Sequence, residues 1–349
     1  RALAMEASTL ARNIDLISTV GGATLNLEHR ASLPAALAIL QSENNFARVT
    51  LWGRISGDKQ DYIIAQGWTP TPDEKTERSK IAGGNALIAE YFELMKQIPK
   101  SSFRLSPDGV TFVPIPPVDD EIVRQNEELT KALNAKGQVF APFTGDPAAK
   151  TQYEFVIPAP PKEPKEAPAE GAEEGAEGEE AAEGGEGGGE GEEDEEEPKA
   201  TVEEREVAEE ARLAYTIHLI DQDTSVVPKG AFVLGSSSHV MINSAFRGLE
   251  EHESRKLTSF LHLRAPNKLQ DLSATDKSAL TASLDFLDNL GMDEPKGCWA
   301  LGFDGQNCMA TLRSLLWPGY SFYHVVGTNN FGAFYSGTGE VNLDIAFML

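Results

Sequence analysis

A chain of 349 residues with a formal charge of −25 is long enough for one large or two ordinary domains. Its excess of carboxylates excludes the basic footprint by which nucleic acid and anionic membrane surfaces are held. With no apolar run of eighteen residues, no stretch resembling a signal peptide, no Asn-x-Ser/Thr acceptor and two cysteines, Cys298 and Cys308, the sequence predicts a soluble protein of a reducing compartment.

Residues 3–17 predict an amphipathic helix: Leu3, Ala7, Leu10, Ile14 and Ile17 recur at alternating four- and three-residue steps. Such a stripe packs either on the chain's own core or on a partner helix. Leu3, Leu10, Ile14 and Ile17 are therefore the candidate protein interface. A second helix is expected over 32–40, with Pro34 in its first turn. The run 48–55 alternates, with Val49, Leu51 and Ile55 on one face and Trp52 and Arg54 on the other. Ser56-Gly57-Asp58-Lys59 turns the chain, and 61–67 returns it as a hairpin. Residues 69–80 read as loop, 85–97 as a helix, 103–117 as short strands broken by prolines, and 119–133 as a helix whose acidic first turn suits the helix dipole.

The negative charge is concentrated downstream of these elements. Residues 158–198 hold seventeen Asp or Glu against two Lys, −15 of the −25, leaving −10 for the rest. A Glu/Gly/Pro/Ala-rich segment over 158–202 has too little apolar surface to offset its chain entropy and is expected to be disordered, grading into a charged helix over 202–212. Leu213, Tyr215, Ile217 and Leu219 alternate and predict a strand, answered by another over 226–234. Two helices follow, one bearing Leu257, Phe260 and Leu261, the other Leu280, Leu284, Leu287 and Leu290 and ending at Gly291. A meander closes the reading: 297–303, a hairpin at Asp304-Gly305, 307–316, a break at Trp317-Pro318-Gly319, 321–326, a turn at 327–330, and 331–335. The class is α+β: an antiparallel, meander-type sheet with flanking helices, N-terminal helices and a long disordered acidic insertion. Three segments are expected, 1–157, 158–202 and 203–349, the first and third forming one folded unit.

Chemistry is hard to find. Cys298 and Cys308 lack metal-ligand spacing and read as two small core residues facing each other across the Asp304-Gly305 hairpin. Ser236, Ser237, Ser238 and His239 do not form a nucleophile elbow. Gly337-Thr338-Gly339 lacks the third glycine of a dinucleotide fingerprint, and none of the six histidines has a partner at i, i+4. The sequence thus predicts no catalytic, cofactor or metal site and no small-molecule substrate. An unrecognised enzyme would instead gather His324, Asp344 and a serine in one pocket. Carboxylate pairs stay open, because sequence alone gives no separation.

The order of short motifs resembles the radial spoke head protein 9 family. The run Arg48-Val-Thr-Leu-Trp-Gly-Arg-Ile55 with Asp61-Tyr-Ile-Ile-Ala-Gln-Gly67 is similar to its N-terminal hairpin. Phe143-Thr-Gly-Asp-Pro147, Ile220-Asp-Gln-Asp223, Val227-Pro-Lys-Gly-Ala231, Phe246-Arg-Gly-Leu249 and Leu312-Arg-Ser-Leu-Leu-Trp-Pro-Gly319 continue the likeness. Against that pattern, 69–100 and 158–201 look like insertions. The resemblance implies a structural subunit of the radial spoke head in the axoneme of 9+2 cilia or flagella, in the cytoplasm and cytoskeleton. The implied partners are head subunits of the radial spoke head protein 4 and 6 type, the spoke stalk and, transiently, central pair projections. The rival is an acidic scaffold or chaperone-like binding protein of another cytoplasmic assembly.

Overall fold

The computed structural model describes residues 6–22, 24–46, 48–68, 100–157, 201–234, 240–269, 273, 275 and 284–348. Residues 1–151 and 207–349 form one compact unit and 152–206 a second. The smaller holds the greater part of a two-stranded ribbon, β5 (Lys150–Ile157) with β6 (Thr201–Ala208). In it the Arg205 guanidinium lies 4.3 Å from the centre of the Phe155 ring and Gln152 donates to Glu206 at 3.0 Å.

The larger unit is α+β and built on one eight-stranded sheet. Its first half runs through β1 (Arg48–Ile55), β2 (Tyr62–Trp68), β3 (Lys100–Leu105) and β4 (Phe112–Pro114). Its second half is a meander of β11 (Trp299–Asp304), β12 (Met309–Ser314), β13 (Tyr320–Val325) and β14 (Phe331–Gly337). The spatial order is β11-β12-β13-β14-β1-β2-β3-β4. Neighbours run antiparallel except at the centre, where β1 and β14 are parallel with Gly53 opposite Tyr335 and Ile55 opposite Gly337.

Both faces of the sheet are covered. On one lie α1 (Leu10–Gly21) and α2 (Leu27–Glu43), where Leu10, Ile14, Leu33, Leu37 and Leu40 pack with Val49, Leu51, Ile63, Phe103, Tyr323 and Phe334. On the other lies α4 (Glu209–Thr224), whose Leu213, Ile217 and Ile220 pack with Ile55, Ile64, Phe322, Phe331 and Tyr335. Each such buried aliphatic contributes about 2 kcal/mol. A fourth long helix, α3 (Asp120–Ala135), carries Asp120 and Glu121 in its first turn as expected.

Several elements differ from the sequence reading. Residues 213–219 are helix within α4, because Leu213, Ile217, Ile220 and Thr224 recur at helical spacing and are among the buried positions. Residues 201–208, expected to pass from disordered tract into helix, are strand β6. Two short strands stand where one was expected, β7 (Val226–Pro228) and β8 (Phe232–Leu234), the second paired with β9 (Val240–Ile242). The segment bearing Leu257, Phe260 and Leu261 is one 3-10 turn, Leu257–Ser259, followed by strand β10 (Phe260–His262), which pairs with β7. Gly291 caps no helix and lies inside a second 3-10 turn, Leu290–Met292. Helix α2 starts seven residues before Pro34, which sits mid-helix and cannot donate to the preceding turn. A register shift between Leu51 and Gly53 carries Ile55 to the face opposite Val49 and Leu51. The helix expected over 85–97, the Ser236–His239 run and the acidic segment 158–200 lie outside the described residues.

Two backbone positions explain their residues. Gly53 lets the halves of the sheet join: a Cβ there would stand 2.3 Å from the Tyr335 carbonyl oxygen. In the hairpin after Asp304 the left-handed residue is Cys308, at φ 47°, whereas Gly305 has no positive φ.

Candidate functional site

The densest polar constellation lies along α4, which begins with two glutamates and ends beside two aspartates. Glu209, 1% exposed, accepts from the Tyr62 hydroxyl at 2.7 Å and from the Thr144 hydroxyl at 2.6 Å. It also accepts from the backbone N–H of Thr144 at 3.0 Å and of Gly145 at 2.9 Å. The Phe143-Thr-Gly-Asp-Pro147 motif is thereby tied to the start of the helix. Gly145 has φ 85°, and a Cβ there would meet the Gln60 carbonyl oxygen at 2.3 Å, so the loop needs glycine to come this close.

One turn on, the buried Arg212 guanidinium donates to Thr151 Oγ1 at 2.9 Å and to the Ala141 carbonyl. It lies 4.9 Å from the Phe143 ring centre. Burial lowers the Arg212 pKa, and the charge of Glu209 opposes that. Burial, and then the bond to Glu209, raises that of Tyr62. Both groups stay in their ordinary charge states. Arg104 on β3 donates to Glu210 at 3.0 Å.

The far end of α4 repeats the pattern on other strands. Asp221 accepts from Trp52 Nε1 at 2.7 Å, from Gln66 Nε2 at 2.8 Å and from the Lys100 ammonium. Asp223 accepts from Trp317 Nε1 at 2.9 Å, and Arg264 lies 3.8 Å away. Ile220-Asp-Gln-Asp223 is thus a double clamp: one carboxylate holds the N-terminal strands and the other the Trp317-Pro318-Gly319 bend of the meander. What this arrangement does chemically is fix geometry. Its acids are already satisfied by indole, amide, phenol and guanidinium donors.

The residues considered for other chemistry fall elsewhere. His324 is fully buried. Its Nε2 accepts from the Leu249 N–H at 3.0 Å, and burial pushes its pKa down to about 4, opposed in part by hydrogen bonding with the Asn330 backbone. Asp344 is exposed. A cavity of about 200 Å³ lies beside Asn26, His29, Arg54 and Asp61, and another of about 70 Å³ beside Lys268, Asp293 and Trp299. Neither is lined by His324 or Asp344, and both fall short of the roughly 300–1,000 Å³ of small-molecule sites. The two thiols are free. Cys298 is buried, and desolvation with the nearby Asp293 carboxylate pushes its pKa up to about 11. Cys308 is exposed in its turn, which corrects the expectation of two core cysteines on facing strands. Among the described residues no three His, Cys, Asp or Glu side chains gather as metal ligands.

Two of the four candidate interface residues are buried within the chain itself. Leu10 is 0% and Ile14 4% exposed: both belong to the core beneath the sheet. The helix starts at Leu10, later than expected, because Thr9 N–H turns back to the Glu6 carbonyl. Leu3 and the side chain of Ile17 lie outside the described residues. Sequence reasoning missed Glu209, Arg212 and Tyr62. The one signal that pointed toward the clamp was the motif around Asp221.

No family model matches the chain. Curated relatives do, along nearly all of it. The radial spoke head protein 9 homolog of Danio rerio is 34% identical over 347 residues, that of Xenopus tropicalis 32% and that of Homo sapiens 31%. In each case 99% of this chain and 100% of the relative are covered.

Proposed function

The chain belongs to the radial spoke head protein 9 family, and from that premise we propose that it is a structural, non-catalytic subunit of the radial spoke head in the axoneme of motile 9+2 cilia or flagella. Its partners are head subunits of the radial spoke head protein 4 and 6 type and the spoke stalk, with transient contact to central pair projections. It relays mechanical input from there toward the dynein arms. The observation that carries this reading is the match to its relatives along their whole length. The clamp supports it: a relay element has to resist bending, and four acids of α4 bind the helix to both halves of the sheet.

The acidic segment 158–198, with −15 of the chain's charge, acts in this reading as a negative brush with a range of about 8 Å at physiological salt. The test of the function is co-purification from salt-extracted axonemes. Elution with the other spoke head subunits is expected, and elution without any of them would overturn the proposal. Loss of all binding on deleting 158–198 would favour the acidic chaperone-like reading instead.

A further inference from the structure

Arg255 and Lys256 are the only Lys or Arg residues adjacent to one another in the sequence, in a chain of net charge −25. A hydroxyl follows closely, since the run reads Arg255-Lys256-Leu257-Thr258-Ser259. Basic side chains three and two residues before a Ser or Thr are the pattern selected by kinases whose peptide cleft is lined with carboxylates. Such specificity is set by charge.

The structure presents the run accordingly. Arg255, Lys256 and Thr258 are exposed, whereas the neighbouring hydroxyl, Ser259, is 7% exposed. Arg255 pairs with Glu251 at 2.8 Å and lies 4.2 Å from the Phe303 ring centre, yet its side chain stays 55% exposed. A surface pair of this kind holds a side chain weakly. Thr258 sits in one 3-10 turn between two extended residues, Lys256 (φ −117°, ψ 131°) and Phe260 (φ −117°, ψ 134°). Two hydrogen bonds close the turn, from Ser259 N–H to the Lys256 carbonyl at 3.1 Å and from Phe260 N–H to that of Leu257. Both would have to open for the segment to lie extended in a kinase cleft, together with the bond from Lys229 N–H to the Ser259 carbonyl at 2.8 Å.

A phosphate on Thr258 would also find a partner. The Thr258 methyl lies 3.4 Å from where a side chain on Gly291 would begin, and the Lys296 ammonium donates to the Gly291 carbonyl at 2.9 Å. Lys296 and Thr258 thus both lie beside Gly291, where a dianion on Thr258 would gain a charge-assisted bond from the ammonium.

We infer that Thr258 is a phosphorylation site for a basophilic serine/threonine kinase. Thr258 Oγ1 attacks the γ-phosphorus of ATP. The new P–O bond forms as the bond from that phosphorus to the β–γ bridging oxygen breaks. ADP leaves, and the hydroxyl proton passes to the kinase's catalytic carboxylate. The product is a phosphate stapling the turn at 257–259 to the segment 290–296 through Lys296.

The test incubates the full chain with the catalytic domain of a basophilic kinase and labelled ATP. Incorporation should approach one phosphate per chain, mapped to Thr258 by mass spectrometry. Thr258→Ala should abolish it, Ser259→Ala should leave it, and Arg255→Ala or Lys256→Ala should lower kcat/KM by roughly tenfold or more. Circular dichroism and melting of each variant establish that it is folded. Label that survives Thr258→Ala, or that enters only after heat unfolding, would overturn the assignment. Phosphorus NMR tests the staple: the second phosphate ionisation should fall below the usual value of about 6 and return to it in Lys296→Ala. Identical titrations would refute the Lys296 contact.

Discussion

Removing the carboxylate of Glu209 is the sharpest test of the clamp. Glu209→Ala deletes the acceptor for the Tyr62 hydroxyl, for the Thr144 hydroxyl and for the backbone N–H groups of Thr144 and Gly145. It also removes the carboxylate charge that offsets the desolvation of the buried Arg212. An orphaned buried donor costs about 1–3 kcal/mol, and breaking a buried ionic arrangement from one side costs about 3–5 kcal/mol. A loss near 4 kcal/mol is expected, a large share of the roughly 5–15 kcal/mol of a folded domain. At about 2–4 °C per kcal/mol for a domain of some 150–250 residues, the midpoint should fall by on the order of 10 °C. Urea unfolding followed by tryptophan fluorescence measures it, since Trp52 on β1 is bonded to Asp221 at the other end of the helix. The double mutant with Tyr62→Phe should show a coupling of about 0.5–3 kcal/mol. A loss under about 1 kcal/mol, or strict additivity with Tyr62→Phe, would refute the clamp.

Four further outcomes follow from the fold. Gly53→Val should prevent the β1–β14 pairing, because its Cβ would overlap the Tyr335 carbonyl; a soluble variant with parental melting would show that the strands can separate freely there. Leu10→Glu with Ile14→Glu should unfold the larger unit itself, at about 3 kcal/mol or more per buried charge, so hydrogen exchange in β13 that stays unchanged would return these residues to an interface. Gly305→Val should cost less than about 1 kcal/mol and Cys308→Gly should be neutral or stabilising, since the positive φ is at Cys308; the opposite order in urea midpoints would place the strain elsewhere. Finally, His324 has a folded pKa near 4, below its unfolded value of about 6.5. Its contribution is therefore present above pH ~6.5 and is lost as pH falls toward ~4, at up to about 1.4 kcal/mol per pH unit. Urea midpoints of His324→Gln should fall less steeply over that window than those of the parent, and parallel curves would show that His324 is not titrating.

The meander was legible because its turns carry their own chemistry. Asp304-Gly305, Trp317-Pro318-Gly319 and Gly327-Thr328-Asn329-Asn330 fall at the three connections between β11 and β14. The 213–224 stretch misled because Leu213 and Ile217 satisfy both a period of two and a period near 3.6. What decides between the two is Ile220 and Thr224 at the next helical steps. Leucine spacing around 257–261 likewise says nothing about whether one turn or three will form. The parallel seam had no local signal: Arg54 and Ser336, which hydrogen-bond across it, are 282 residues apart. Glu209 was hidden for another reason. It follows a tract of glutamates, and only the loop folded over it distinguishes a buried acceptor from a solvated charge.

That separation along the chain also sets an order of events during synthesis. Strand β1 emerges together with its antiparallel neighbour β2, and its other edge then waits for β14 while more than 270 residues are added. At about 5–20 residues per second that wait is on the order of tens of seconds. Until β14 arrives, the Gly53–Ile55 edge of β1 lacks the strand that it pairs with in the folded protein. Two ribosomes on one message would bring two such edges close together, and the first strand to arrive need not be the right one.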